Sequence, residues 1–208
     1  PLYNFIMTPG CTYPTAVNYD PLATVDDGSC CYSSFGSLWN QKGQDIDGEA
    51  ADDKSGHTVS MSSDGNIVAI GAPHNDGNGL NSGHVRVYEY NGSTWNQIGQ
   101  DIDGESINDY DGWSVSLNDN GNILAIGAQK NDGTTGNVND DRGHIRVYEY
   151  NGSNWIQIGQ DIDGLAPGDE IGMSISLSND GYTVASGSPW GSNTSGYVRI
   201  YNYNGSSW

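Results

Sequence analysis

The stretch Gly83–Gly104 reads GHVRVYEYNGSTWNQIGQDIDG. It returns at Gly143–Gly164 as GHIRVYEYNGSNWIQIGQDIDG, identical at 19 of 22 positions. A third copy, GYVRIYNYNGSSW, occupies Gly196–Trp208, and an earlier tail, GSLWNQKGQDIDG, occupies Gly36–Gly48. The tail tryptophans Trp39, Trp95, Trp155 and Trp208 set spacings of 56, 60 and 53 residues. A period of this size signals an array of supersecondary units, each burying its apolar face against the next.

Each period contains the same succession of extended segments. In the first, HTVSMS (57–62) alternates small polar residues with Val59 and Met61, and Asp64-Gly65 marks a hairpin. IVAIGA (67–72) is apolar on both faces, as a strand buried between layers should be. The polar loop 74–83 leads to HVRVYEY (84–90), and Asn91-Gly92 turns the chain into a fourth strand over 93–100. The second period repeats this with WSVSLN, NILAIGA, HIRVYEY and NWIQIGQ; the third gives MSISLS, YTVASGS, YVRIYNY and a truncated fourth strand. The expected fold is therefore all-β, with three four-stranded antiparallel blades in tandem forming a β-propeller or part of one. The blades span about 45–100, 101–160 and 161–208, and residues 36–44 supply the fourth strand of a preceding blade. Ser60, Ser116 and Ser176, with Ala69, Ala125 and Ala185, are small enough to let neighbouring sheets approach closely.

Residues 1–33 read differently. GCTYPTAVNYDPLATVDDGSCCY is dense in turn formers and poor in core formers, so a staple should order it. Cys11 paired with Cys30 or Cys31 closes a loop of about 20 residues, worth roughly 3 kcal/mol in the chain-entropy account, and implies an oxidising compartment. Residues 32–208 contain no cysteine. Asp20, Asp26 and Asp27 either gather a calcium ion or cap Asx turns.

Seven basic residues face 26 acidic ones, a net charge of −19. This repels nucleic acid and anionic lipid, which excludes both as partners. No run approaches the ~20 apolar residues of a membrane helix, so membrane insertion is not expected.

GHTVSMSSDGNIVAIGAP, GWSVSLNDNGNILAIGAQ and GMSISLSNDGYTVASGSP resemble FG-GAP repeats, which build the propeller of integrin α-chains and of many secreted bacterial proteins. The Phe-Gly of that family becomes Ser55-Gly56, Asp111-Gly112 and Ile171-Gly172. Its Gly-Ala-Pro persists at Gly71-Ala72-Pro73 and drifts at Gly127-Ala128-Gln129 and Gly187-Ser188-Pro189. The N-terminal module is similar to short GCTxPxAxNYxPxAxxDDGSC repeats of secreted multidomain proteins.

The acidic segment of each period has the form D-x-D-G-x-x-x-x-D: Asp45, Asp47 and Asp53; Asp101, Asp103 and Asp109; Asp161, Asp163 and Asp169. Carboxylates two apart beside a bending glycine can wrap a hard cation. The resemblance implies calcium loops of the form D-x-D-x-D-G-x-x-D, whose central Asp is missing here. The competing reading has Asp47, Asp103 and Asp163 shaping turns while the third Asp accepts backbone hydrogen bonds. Arg86, Arg146 and Arg199, with Tyr88, Tyr148 and Tyr201 on the same strand face, should pack on rings or bond neighbouring carboxylates. The alternative is a Tyr and Trp stripe that stacks on sugars. Asn91, Asn151, Asn193 and Asn204 begin N-glycosylation sequons, three of them at Asn-Gly turns. The scattered histidines 57, 74, 84 and 144 form no ligand or nucleophile pattern, and no catalytic set stands out.

These readings converge on a non-catalytic, extracellular, cell-surface or virion-surface module for binding or adhesion. The variable loops 74–83, 130–143 and 190–196 would meet surface glycans or other protein subunits. A structural subunit of a filament, surface layer or virion is the alternative, and a secreted polysaccharide hydrolase a distant third. Three blades are fewer than a closed ring needs, so the chain is expected to belong to a larger chain or assembly.

Overall fold

Small-polar and apolar residues alternate along Thr58–Met61, and a run apolar on both faces follows at Ile67–Ala72. In the computed structural model these become the first two strands of a sheet. The structure describes residues 8–14, 18–30, 40–133, 140–191 and 195–208. Cys31, Asn193 and the expected strand residues 36–39 lie outside them, as do 134–139 and 192–194 of the variable loops. The chain forms two compact units, Pro1–Lys42 and Gly43–Trp208.

In the first unit, β1 (Pro9–Gly10) pairs in parallel with β2 (Val25–Asp26), and Cys11 is bonded to Cys30. The aspartates there cap turns. Asp20 accepts from Leu22 N–H at 2.9 Å, Asp26 from Gly28 N–H at 3.0 Å and Asp27 from Ser29 N–H at 2.9 Å.

Among its described residues the second unit holds three antiparallel sheets. The first runs β3 (Thr58–Met61), β4 (Ile67–Ala72), β5 (His84–Tyr90), β6 (Trp95–Gln97), with β7 (Ile102–Asp103) also on β5. The second runs β8 (Asp111–Leu117), β9 (Ile123–Ala128), β10 (His144–Tyr150), β11 (Trp155–Gln157), with β12 (Ile162–Asp163) on β10. The third is β13 (Ser174–Leu177), β14 (Thr183–Ser188) and β15 (Tyr197–Asn202). The all-β blades read from the sequence are thus present.

One expectation needs correcting. The fourth strand is not a single segment over 93–100 but two short pieces. β6 pairs with the outer half of β5, and β7 returns to its inner half, His84 and Val85. The break falls at Gly99, whose φ of +74° no β-branched or bulky residue adopts comfortably. Asp103 and Asp163 therefore lie in strands rather than in turns.

The break serves the neighbouring blade. A Cβ on Gly99 would sit 2.6 Å from Cδ1 of Trp155, one blade further on. The next residue, Gln100, donates to the Trp155 carbonyl at 2.8 Å and accepts its N–H at 3.0 Å, so a side-chain amide substitutes for a strand neighbour. The Trp155 indole donates to the Ile98 carbonyl at 3.0 Å. Gly43 and Gln44 meet Trp95 in the same way, as do Gly159 and Gln160 with Trp208.

Inner strands are joined by serine. Leu117 N–H donates to Ser60 Oγ and Leu177 N–H to Ser116 Oγ, each at 2.9 Å across a blade interface. Between them lie the apolar layers. Ala69, Val85 and Val87 meet Val115, Leu117, Leu124 and Ile126; Ile123, Ala125, Ile145 and Val147 meet Ile171 and Val184. The two glycines of the FG-GAP-like pattern also meet here. A Cβ on Gly71 would lie 2.1 Å from the Gly112 carbonyl, and one on Gly127 2.1 Å from that of Gly172.

Two substitutions separate this inter-blade contact from simple backbone preference. Gly92 has φ +97° and open space around it, so Gly92→Ala should cost ~1 kcal/mol. Gly99→Ala adds the collision with Trp155 and should cost roughly 2–4 kcal/mol. Urea unfolding of the two variants measures the difference, and equal midpoints would mean that Gly99 is needed only for its backbone angle.

Candidate functional site

Loops β4–β5 and β9–β10 and the links β7–β8 and β12–β13 all leave the sheets at one end. The repeat makes every position comparable. His74, Lys130 and Trp190 occupy one position, Lys54, Tyr110 and Glu170 another, and Asn81 and Asp141 a third. In the first interface the His74 ring meets Tyr110 edge-on at 5.2 Å and its Nδ1 lies 3.2 Å from Asn81 Oδ1. In the second, Lys130 Nζ reaches Glu170 at 2.5 Å and Asp141 at 3.1 Å. Burial works against the Lys130 charge, but the hydrogen bonds it donates to Glu170 and Asp141, with their negative charges, outweigh it and hold the ammonium above its ordinary range. The same positions thus carry an aromatic pair in one interface and an ion triad in the next.

Lys54, Tyr110, Glu170, Asn81 and Asp141 all have positive φ, between 48° and 59°. Non-glycine residues held there signal a backbone over-determined by its surroundings. Leu80, Ile107, Leu165 and Trp190 add exposed apolar side chains at this end. A Cβ on Gly79 would lie 2.9 Å from Ile107, which brings loop and link together.

The nine aspartates of the acidic segments do not converge repeat by repeat. The third of each is buried and committed to hydrogen bonds. Asp53 accepts from Ala50 N–H at 3.2 Å and Asn75 Nδ2 at 2.9 Å, and Asp109 accepts from Ser106 N–H at 2.9 Å and Asn131 Nδ2 at 3.0 Å. Asp169 accepts from Leu165 and Ala166 N–H and from the Tyr197 hydroxyl at 2.7 Å. Asp45 and Asp47 are exposed. Among the described residues, two groupings bring three ligand atoms within 4.8 Å of one another: Glu49, His84 and Asp101, and Glu105, His144 and Asp161. Sequence reasoning missed these sets because each draws on three separate segments. The signal was present in the shared repeat position of His84 and His144 and in Glu49 and Glu105.

These mixed groups are not a calcium cage. Each offers one imidazole nitrogen and two carboxylates, where calcium takes six to eight oxygens. A guanidinium sits beside each, Arg86 Nη1 at 3.5 Å from Glu49 and Arg146 Nη1 at 3.7 Å from Glu105. Burial drives both histidine pKa values down, which favours the neutral rings.

The arginines do what the repeat position suggested. Arg86 and Arg146 lie 5.7 and 5.6 Å from the Tyr88 and Tyr148 ring centroids, whereas Arg199 lies 4.3 Å from Tyr197. Arg86 donates to the Asp47 carbonyl at 2.8 Å and Arg146 to that of Asp103 at 2.9 Å, and Arg146 also pairs with buried Asp111. Trp155 is 2% exposed and lies 5.2 Å from the Tyr150 ring, so it cannot stack on a sugar. The sequon side chains Asn91, Asn151 and Asn204 are exposed, and each accepts two backbone N–H bonds within its own turn.

With this geometry in place, comparison with known proteins adds a family likeness for part of the chain. A family model described as FG-GAP repeat matches residues 46–88. No curated protein matches. Similar solved structures include the complex of KlAtg21 with the coiled coil of AgAtg16 (16% identity, TM-score 0.48, covering 71% of this chain and 39% of that one). A Bacteroides uniformis protein described as a 6-phosphogluconolactonase is another (16% identity, TM-score 0.47, covering 71% and 37%). The chain thus spans well under half the length of both, and at this similarity neither bears on activity.

Asp109 gives a pH test of the buried caps. Burial raises its pKa from the ordinary 3.8 to about 6, against the bonds from Asn131 and Ser106. Between these values the folded state holds the proton more tightly than the unfolded chain, so stability should rise as pH falls from 6 towards 4. Asp109→Asn keeps an acceptor oxygen and removes the titration. Thermal melts from pH 7 to 4 should show a smaller low-pH gain for the variant than for the parent chain; parallel curves would remove Asp109 from the account.

Proposed function

We propose that this chain is a non-catalytic binding module of the extracellular or surface-displayed kind, and that its ligand surface is the loop end of the blades. The observation that carries this reading is the division of labour within the repeat. Residues that recur, such as Gly99, Gln100, Trp155, Ser116 and Arg146, are occupied in joining blades. Residues that vary gather at one end, on strained backbone, with Leu80, Ile107 and Trp190 exposed. A rigid scaffold that varies its loops at one end is how binding surfaces are built. The Cys11–Cys30 bond supports an oxidising compartment. No helix among the described residues is long and apolar enough to cross a membrane.

Surface glycans are the ligand class that suits exposed Trp190 beside polar Asn and Ser loops, because rings stack on sugar faces while amides and hydroxyls bond their hydroxyls. An array of neutral and acidic glycans should show binding that Trp190→Ala or Leu80→Asp weakens at least tenfold. Asn91→Gln, in a hairpin at the opposite end, should leave it unchanged. Equal losses from both ends, or no binding across the array, would overturn the assignment.

We further infer that the acidic segments cap turns and join blades without calcium. Adding millimolar calcium to chelator-treated protein should leave its melting temperature within about 1 °C, because a ligand that does not bind the native state adds no stability. A rise of several degrees would restore the calcium reading of Asp45, Asp47, Asp53 and their equivalents.

A further inference from the structure

The three sheets stack with one polarity. In the middle blade Val115 and Leu117 face the first blade and are each 7% exposed, while Ile145 and Val147 face the third and are 0% and 1% exposed. Their equivalents at the two ends of the array are bare. Val59 and Met61 on β3 are 62% and 53% exposed, and Val198 and Ile200 on β15 are 70% and 67% exposed.

These bare faces are the two halves of an interface the chain already makes twice. At each internal interface a glycine of the second strand receives the carbonyl of a positive-φ glycine from the following blade, Gly71 from Gly112 and Gly127 from Gly172. Gly187 offers the same receptor position, and only its own blade's Ser174 lies within reach of a Cβ there. Gly56 has the matching backbone angle, φ +84° against +81° and +85° for Gly112 and Gly172, with nothing within 4 Å of its Cβ position. Ser176 stands where Ser60 and Ser116 accept, and Met61 where Leu117 and Leu177 donate. A groove of about 480 Å³ opens on the third blade, lined by Ser174, Gly187 and Val198 among others. It is the slot that the following blade fills in the first two.

We propose that a second copy of this chain occupies that groove, so that β3 of one copy packs head-to-tail on the β14–β15 face of another. Val59 and Met61 would cover Val198 and Ile200, Gly56 would seat its carbonyl against Gly187, and Met61 N–H would bond Ser176 Oγ. The contact is heterologous: one copy uses both of its faces on different neighbours, so assembly closes into a ring or extends. The net charge of −19 opposes it, and salt should strengthen it by screening that repulsion.

Light scattering coupled to size exclusion, run on the full chain over a hundredfold concentration range at low and high salt, tests this. The expected result is a mass that rises above 22.2 kDa with concentration and with salt. Val198→Glu/Ile200→Glu and Val59→Glu/Met61→Glu, all at exposed positions, should each abolish the rise while circular dichroism stays unchanged. Gly187→Ala should weaken it at least tenfold, since the added methyl fills the seat of the Gly56 carbonyl. Mixing the two double variants should restore a species of twice the monomer mass, because each retains one intact face. A constant monomer mass, an assembly indifferent to these variants, or a mixture that stays monomeric would overturn the proposal. Because none of these changes touches the loop end, glycan binding that fails while self-association persists would count against the binding-module reading alone.

Discussion

The structure depends on one side-chain amide per blade. Gln100 holds both backbone groups of Trp155 in the next blade and so completes a strand pairing with atoms that are not backbone. A hydrogen bond of this kind contributes only about 1 kcal/mol net, but leaving a buried backbone group unpaired costs more than that. The amide can reach only because Gly99 bends the chain under the indole. Gly99 in turn forces the fourth strand to break into β6 and β7. The break frees the Asp103 carbonyl to receive Arg146. One left-handed residue thus sets the course of the whole inter-blade link.

This explains why GQDIDG recurs without change while its neighbours drift. Gln100 answers to Trp155, 55 positions away, and Asp103 to Arg146, 43 positions away, so a change there must be matched in the next blade. The loop end lacks this constraint. His74 with Tyr110 and Lys130 with Glu170 and Asp141 fill equivalent space by unrelated chemistry. Two solutions at one repeat position show that the scaffold specifies the room and not the residue. Sequence diversity can therefore accumulate there at little cost to stability.

The sheets were legible in the sequence because alternation and Gly-centred turns are local signals. β4 and β9 read correctly as strands buried on both faces, and Ser60, Ser116, Ala69 and Ala125 read correctly as points of close approach. The broken fourth strand was not legible, since Gly99 looks like any turn glycine until Trp155 is placed over it. The fate of the aspartates divided in the same way. Spacing within one segment suggested a single ligand set. Asp109 instead turns inward to Ser106 and Asn131, while Asp101 lies with Glu49 and His84 from two other segments. Convergence across sheets is a tertiary fact, and a repeat reveals it only when equivalent positions are compared.

The polarity of the blades turns a favourable local contact into a problem of termination. Every interface is made by unlike faces, so adding a blade regenerates the face it covers, and no internal symmetry tells the array to stop. Bare apolar strands invite indiscriminate pairing unless something limits it. Two features of this chain supply limits. In the proposed contact, Gly56 and Gly187 would admit only a partner whose backbone reaches the other's carbonyl without a side chain between, a steric filter for like against unlike. The charge of −19 adds a penalty that grows with each unit joined and that added salt relieves. Specific attraction at the faces and general repulsion over the surface act on different length scales.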